Sequence, residues 1–206
     1  MDIEYKVDFF TDWHCGSGLA AGADVDALVI KNGKGLPYIP GKTVKGLLRE
    51  AIEDIITFYG GKEDPRNQSL YQYFIEAFGI FIDNTDNPDL KNVMERGNAF
   101  FTNAELPKDA QDIIESEKLY PYIYRTLSST AIDPNGIAVD HSLRRIEVAV
   151  PCTLYGKILG LPDDGEFNKL VADGLSYIKR LGQNRNRGLG RCSFTIVNKT
   201  APTQNK

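Results

Sequence analysis

The chain has 206 residues, of which 42% are hydrophobic, and it has a formal net charge of −4. A chain of this length can bury one substantial core, so we expect a single domain over residues 1–206. The acidic balance excludes a protein that coats nucleic acid non-specifically, because such proteins are basic overall, and it confines any RNA surface to a local patch.

The first half of the chain predicts a strand followed by a helix. Apolar and charged side chains alternate from Ile3 to Phe9, which is the period of a strand with one buried face. From Val44 to Ile56 the apolar residues are three and four apart, so we expect a helix with Thr43 as its side-chain cap. Residues 60–95 are predicted to be an insertion or an ordered loop region, with one short helix around Leu70–Phe78.

The second half predicts three strands and one more helix. We expect strands over residues 97–106, 146–159 and 191–197, and an amphipathic helix between Phe167 and Leu181. Pro151 indicates an edge or a bulge within the middle strand, because proline cannot donate to a sheet.

The predicted order is strand, helix, strand, strand, helix, strand. This is the order of the α+β ferredoxin-like fold, which includes the RNA-recognition (RRM-like) type. Around this βαββαβ core we expect insertions at about residues 12–41, 60–95 and 120–145. Residues 199–206 are predicted to be a polar, frayed tail.

The sequence gives no sign of a membrane segment or a metal-binding cysteine pair. No stretch approaches the roughly 20 apolar residues of a membrane span, and the acidic start is unlike a secretion signal, so a cytoplasmic protein is expected. Cys15, Cys152 and Cys192 lack zinc-ligand spacing and an even disulfide framework. We expect them to be buried or incidental thiols.

The tripeptide Gly41-Lys42-Thr43 is typical of the end of a nucleotide-binding P-loop, but the preceding residues do not fit that motif. A P-loop needs a glycine separated by four residues from Gly41, and Leu36 stands at that position here. Pro37 and Pro40 also remove two of the backbone amides that would bind phosphate. The sequence therefore disfavours a nucleotide triphosphatase.

Two basic clusters are candidates for binding a different phosphate. Lys42, Lys45 and Arg49 share one flank of the predicted helix, at whose start an RNA phosphate could bind; a solvated basic flank is the alternative. A second cluster lies in "LGQNRNRGLGR" (181–191), where glycines allow close backbone approach and arginines can bind phosphate with two hydrogen bonds. An ordinary surface turn is the alternative for this cluster.

Five segments, in order, resemble motifs of one protein family. They are "WHCGSG" (13–18), "DALVIKNGKGLPYIPGKTVKGLLRE" (26–50), "RGNAFFTNAEL" (96–106), "STAIDPNGIAVDHSLRRIEVAVPCTLYGKI" (129–158) and "GQNRNRGLGR" (182–191). They are similar to the first glycine motif, helix start, second strand, thumb hairpin and glycine-rich loop of the RAMP superfamily. The chain most resembles the multi-copy backbone subunit of type III CRISPR effector complexes. Lys42-Thr43 stands where Ser-Ser is commoner, and Cys152 replaces an expected glycine.

The resemblance implies an RNA-binding role inside a ribonucleoprotein for antiviral defence. The expected partners are guide (crRNA) and target RNA, other CRISPR effector subunits and further copies of the chain. The hairpin around residues 131–142 would displace a base from the duplex. The family's guide-binding positions fall on the following residues of this sequence: Lys42, Lys45, Arg49, Arg185, Arg187, Gly188, Gly190 and Arg191. His14 is a further candidate RNA contact.

Asp26 matches the position of the aspartate that cleaves target RNA in backbone subunits, and Asp24 is a poorer match. One carboxylate cannot position a metal alone, so we expect an endonuclease that uses a divalent metal, Mg²⁺, held by Asp26 and RNA phosphates. A subunit that binds without cutting is one alternative. A stand-alone guide-processing nuclease using His14 is another, although we favour a structural or RNA-contacting role for this histidine.

Overall fold

The computed structural model describes residues 1–21, 24–82 and 93–200, and these ranges contain eight strands and four α-helices. The strands are β1 (Asp2–Phe9), β2 (Gly79–Ile82), β3 (Val93–Arg96), β4 (Phe100–Phe101), β5 (Tyr124–Ser129), β6 (Arg144–Ala149), β7 (Thr153–Leu159) and β8 (Cys192–Thr200). The helices are α1 (Gly41–Phe58), α2 (Gln68–Phe78), α3 (Lys108–Ser116) and α4 (Gly165–Tyr177).

The main sheet has four antiparallel strands in the order β4-β7-β1-β8. Read along the chain, β1, α1, β4, β7, α4 and β8 form the βαββαβ unit, with β1 in the interior of the sheet. The predicted α+β ferredoxin-like fold is therefore confirmed. Alternation along β1 buries its odd-numbered residues, as the sequence pattern requires.

Helices α1 and α4 cover one face of the sheet and pack against each other. The buried stripe of α1 contains Val44, Leu48 and Ile52. Gly174 lets α4 approach, since a Cβ at this position would lie 2.9 Å from Leu48 Cδ1 and 3.0 Å from Ile52 Cγ1. This close contact fixes the ends of both helices relative to the sheet.

Helix α1 starts earlier than the sequence predicts and is capped differently. It begins at Gly41, whose amide donates to Asn103 Oδ1 at 3.1 Å, and no side chain of its N-cap residue Pro40 takes part. Thr43, the predicted cap, instead lies beside the Cys15 thiol. The prediction was wrong because the capping group comes from a segment about 60 residues away, which local spacing cannot reveal.

The predicted insertion at 60–95 contains the expected short helix, α2, and a hairpin of β2 and β3 that was not predicted. Residues 83–92 of that insertion lie outside the described residues. Helix α3 was also missed. It has only nine residues, most of them polar, and Ile114 is its buried residue, so it is too short to repeat an apolar spacing along the sequence.

The strand predicted over residues 146–159 is two strands in two different sheets. β6 ends at Ala149 and pairs with β5, whereas β7 begins at Thr153 and pairs with β1 and β4. Pro151 lies in the break, so its position indicates a change of sheet rather than a bulge. β8 extends to Thr200, and residues 201–206 of the predicted tail lie outside the described residues.

Strands β5 and β6 form a hairpin that is separate from the main sheet; we call residues 124–149 the thumb hairpin. Its tip is a tight turn around Asp133, whose Oδ1 accepts the amides of Asn135 (2.9 Å) and Ile137 (2.8 Å). The Ile137 amide, with the neighbouring donors, lowers the pKa of the Asp133 carboxyl. The tip is thus ordered by its own hydrogen bonds.

Candidate RNA interface

The open face of the main sheet exposes two aromatic residues, Tyr155 on β7 and Phe100 on β4, but its central strand β1 is charged. Along β1 this face carries acids and one lysine, with Lys6 paired to Asp8 at 2.9 Å and Glu4 3.9 Å from Lys157 Nζ. Base stacking needs exposed aromatic rings, and phosphates are repelled by carboxylates. The carboxylates of β1 therefore disfavour this face as the phosphate-binding surface.

His14 is buried where three segments meet: the first glycine motif, β6 and the glycine-rich loop. Its side chain is 0% exposed, and Nδ1 donates to the backbone oxygen of Glu147 on β6 at 2.6 Å. The His14 oxygen accepts the Gln183 amide at 2.9 Å. Because the ring has no exposed surface, the predicted RNA contact of His14 is not available in this structure; the histidine instead supports the surface around it.

Gly16 and Gly182 make this junction possible. A Cβ at Gly182, whose φ is +96°, would overlap the backbone oxygen of His14. A Cβ at Gly16 would come 3.1 Å from both His14 Nε2 and Gln183 Nε2. His14 Nε2 itself has no hydrogen-bond partner among the described residues. The two glycine motifs of the sequence thus meet at one buried histidine.

Asp26 is exposed and is anchored to β6 of the thumb hairpin. Its amide donates to the oxygen of Arg145 at 2.8 Å, and its Oδ2 accepts the Arg145 amide at 2.7 Å. One carboxylate oxygen is therefore occupied by the backbone of β6, and the position of the carboxylate is fixed relative to the thumb hairpin.

Glu147 on β6 also binds the loop that contains Asp26. Its amide donates to the oxygen of Ala27 at 2.9 Å, its Oε2 accepts the Val29 amide at 3.1 Å, and its Oε1 pairs with Lys31 at 2.8 Å. A single residue of β6 thus holds the loop that begins at Asp26 and also receives the His14 hydrogen bond. Sequence reasoning missed Glu147 because nothing local marks it.

We expect Glu147→Ala to loosen this loop and Glu147→Gln to preserve most of it. Alanine leaves the Val29 amide without an acceptor, which costs about 1–3 kcal/mol, whereas glutamine still offers an oxygen. Hydrogen exchange should show faster exchange of the Val29 and Asp26 amides in the alanine variant. Glu115→Ala, which removes an exposed partner of Lys34, is the control; equal exchange in all three variants would contradict the assignment.

Asp26 alone does not complete a metal site. Within residues 1–21, 24–82 and 93–200, no group of three His, Cys, Asp or Glu side chains is close enough to hold a metal ion. Asp26 retains a carboxylate oxygen, a hard ligand of the kind Mg²⁺ prefers. The chain fits a divalent cation only as one ligand of a site that RNA phosphates would complete.

The start of α1 lies next to the first glycine motif. Lys42 is exposed, and its charge and the Thr43 side chain both act on the Cys15 thiol, whose pKa is raised by burial. The helix amides are less available than predicted, because Gly41 donates to Asn103 and Thr43 donates to the oxygen of Pro40. The Lys42 side chain is therefore more available to an anion than the backbone amides at this end of the helix.

Lys45 and Arg49 are turned toward the protein. Lys45 Nζ donates to the oxygen of Ala99 at 3.1 Å and lies 5.9 Å from the centre of the Phe101 ring; its burial, with the nearby Arg49 charge, lowers its pKa. Arg49 Nε pairs with Glu53 at 3.2 Å. Of the three cations predicted on this flank, Lys42 is therefore exposed to solvent, whereas Lys45 and Arg49 are only partly exposed.

The glycine-rich loop is a braced turn that displays arginines. Residues Arg185–Arg187 form one 3-10 turn between two left-handed residues, Asn184 (φ 54°) and Gly188 (φ 92°). Arg180 braces it by donating to the oxygen of Arg185 at 2.8 Å. The exposed arginines of the predicted cluster are Arg185, Arg187 and Arg191. Across the described ranges, no carboxylate forms an ion pair with any of them.

Gly190 closes this loop, and we expect Gly190→Ala to disrupt it. Its oxygen accepts the Leu181 amide at 2.9 Å, and its amide donates to Asp12. With φ at +66°, an added Cβ would overlap the Leu181 oxygen, so thermal unfolding should show a loss of about 1–3 kcal/mol. Gly188→Ala is the control, since its Cβ would meet no atom within 4 Å. An equal loss in both variants would contradict this explanation.

The comparison of the sequence with family models decides the relationship. The model described as "RAMPs: RAMP superfamily" matches residues 6–193. This chain belongs to the RAMP superfamily.

Solved structures show that the RAMP fold is shared at low sequence identity. A cryo-EM structure of the type III-B Cmr-beta bound to cognate target RNA is similar with a TM-score of 0.63 and 11% identity, covering 95% of this chain and 97% of that chain. The apo state of the type III-B Cmr-beta gives a TM-score of 0.65 and 12% identity, covering 96% and 97%. A comparison with curated proteins returns no match.

Several cations of this RAMP chain were not assigned from the sequence. Arg144 and Arg145 are exposed at the start of β6, on the tip side of the β5–β6 pairing, and Arg125 pairs with Asp12 at 3.2 Å. Asp12 also accepts the Gly190 amide through its backbone oxygen, so this pair joins the thumb hairpin to the glycine-rich loop. The adjacent arginines at 144–145 were a usable signal.

All three cysteines of the RAMP domain are free thiols; Cys15 and Cys192 are buried and Cys152 is partly buried. Burial raises the pKa of Cys152 to about 11 and that of Cys192 to about 12. The prediction of buried or incidental thiols is confirmed by these environments.

None of the helices in the three described ranges is long and apolar enough to cross a membrane.

Proposed function

We propose that this chain is a guide-RNA-binding backbone subunit of a type III CRISPR effector complex, and that Asp26 cleaves target RNA there. The observation that supports this most directly is the meeting of three segments at His14. The first glycine motif, the root of the thumb hairpin and the glycine-rich loop are joined by its contacts with Glu147 and Gln183. The two similar cryo-EM structures come from a type III-B complex, one of them with target RNA.

Guide binding would rest on the cations around this junction. Arg185 and Arg187 can each present two parallel donors to a phosphate, and Lys42 adds a point charge at the start of α1. The braced 3-10 turn holds both arginines in place before RNA arrives, which reduces the entropy lost on binding. Because the chain is acidic overall, binding by the isolated protein should be weak and sensitive to salt.

The thumb hairpin would separate bases of the guide–target duplex. Its distal half exposes aliphatic side chains, which insert between bases more favourably than charged ones. These side chains are Ile132, Ile137, Val139 and Leu143. The turn organised by Asp133 gives this wedge a defined shape.

Cleavage would take place where β6 of the thumb hairpin meets Asp26. The amide of Arg145 orients the carboxylate toward the thumb hairpin, beside the nucleotide that the hairpin displaces. The free carboxylate oxygen can bind a divalent cation, which we expect to be Mg²⁺ and which would neutralise charge developing on the scissile phosphate. Attack by the 2′-hydroxyl or by water is compatible with this arrangement.

A subunit that grips RNA without cutting it is the second candidate. The isolation of Asp26 from other possible metal ligands among the described residues favours this alternative. Guide processing by His14 has less support, because a general base must reach its substrate and this ring is buried.

Purification from cells that contain a CRISPR array tests the RNA-binding proposal. We expect the chain to elute in a large particle with a high ratio of absorbance at 260 to 280 nm, and sequencing should find repeat-derived guides. A nucleic-acid-free monomer from cells that also express the other effector subunits would contradict the proposal.

A further inference from the structure

A groove between α1 and α4, on the side away from the sheet, plays no part in the proposed RNA site. It has a volume of about 970 Å³ and is bordered by three exposed aromatic residues. Phe58 is 84% exposed, Tyr59 64% and Tyr177 58%. We call this feature the helix groove.

These aromatic residues are not displaced members of the core. The buried stripe of α1 faces the sheet, whereas Phe58 and Tyr59 end the helix on its outer side and pack edge-to-face at 5.5 Å and 86°. Ile55, which is partly buried, also lines the groove. Soluble proteins seldom leave such neighbouring aromatic residues uncovered without a binding role.

The charges of the helix groove favour a cationic protein segment over RNA. Of its described lining residues, Asp54 and Asp173 are acidic and Lys179 is basic. Neither aspartate forms an ion pair within the described residues. The last turns of α1 and α4 contain no basic residue, so their negative helix ends add to the carboxylates.

This electrostatic field would repel phosphates and attract lysine or arginine. The exposed rings can also bind a cation over their faces. The 18 residues of α1 make it about 27 Å long, which separates Phe58 from the RNA-facing Lys42 at the other end. A partner in the helix groove would therefore leave Lys42 free but would lie beside Arg185, which shares a smaller adjoining pocket with Asp54, Tyr177 and Lys179.

We propose that the helix groove binds a protein partner through an amphipathic helix. The partner places a lysine or arginine near Asp54 and Asp173 and covers Phe58, Tyr59 and Tyr177 with apolar side chains. Two packed helices offer such a groove to a third helix. This inference holds whether or not the chain cleaves RNA.

Two labelled synthetic helical peptides test the inference with the full-length chain. Both have leucine on one face, and the opposite face carries lysine in one peptide and glutamate in the other. Fluorescence anisotropy at physiological ionic strength should show binding of the lysine peptide. The double variants Phe58→Ser/Tyr177→Ser and Asp54→Asn/Asp173→Asn should each bind it at least about tenfold more weakly.

The control variants make the same kinds of substitution at residues outside the groove. Tyr122→Ser removes another exposed aromatic ring, and Asp163→Asn removes another exposed carboxylate. Thermal unfolding confirms that every variant is folded. Equal binding of both peptides, or equal losses in groove and control variants, would overturn the inference. The inference would also be overturned if the groove substitutions, and not the control substitutions, abolished RNA binding by the chain or its self-association.

Discussion

Replacing Asp26 with alanine in an assembled complex is expected to reduce target-RNA cleavage by about 100-fold or more, the usual effect of losing a positioned catalytic group. Binding of guide and target should not change, because Asp26 supplies no positive charge. The assay is cleavage of labelled target RNA with Mg²⁺, alongside filter binding of the same RNA.

Two further variants make this test specific. Asp26→Asn keeps an oxygen for the Arg145 amide but loses the negative charge, so it should fold normally and cleave no better than the alanine variant. Asp24→Ala removes the exposed acid two residues earlier and should leave cleavage unchanged. Full cleavage by Asp26→Ala would assign the chain to the non-cutting alternative.

The double variant Arg185→Ala/Arg187→Ala is expected to give the largest loss of RNA affinity. Each arginine that neutralises a phosphate releases counterions, so the slope of log K against log salt should fall by about 1 per residue, or about 2 in total. Filter binding of single-stranded RNA across a salt series measures both the affinity and the slope.

Arg66→Ala is the matched control for this pair. Arg66 is equally exposed but is neutralised by Asp64 at 2.6 Å on a different part of the surface. It should change neither the affinity nor the slope. A similar loss from Arg66→Ala, or an unchanged slope in the double variant, would mean that the glycine-rich loop does not contact phosphates.

Local periodicity was sufficient to predict β1, α1 and α4, whereas the strand predicted over residues 97–106 is only the two-residue β4. β1, α1 and α4 bury one face of a regular element, and their sequences show it as spacings of two or of three and four. The division of the 146–159 strand could not be read in this way. The apolar residues Ile146, Val148, Val150, Cys152 and Leu154 alternate without interruption across the break, although β6 and β7 pair with different strands. Pairing between distant strands leaves no local pattern.

In the candidate site, too, features set by neighbouring residues were predicted from the sequence, whereas features set by distant segments were not. The exposed arginines of the glycine-rich loop were predicted, since glycine spacing and charge are local properties. The inward orientation of Lys45 depends on the oxygen of Ala99, and the burial of His14 depends on Glu147 and Gln183. The role of Glu147 as the anchor of the Asp26 loop is likewise a tertiary property.

We propose above all that RNA lies along the glycine-rich loop and the start of α1, and not on the open face of the sheet. Ultraviolet cross-linking of the purified ribonucleoprotein, followed by mass spectrometry of peptide–RNA adducts, tests it most directly. We expect adducts within residues 182–191 and around Lys42. Adducts confined to the exposed residues of β1, β7 and β8 would contradict the claim.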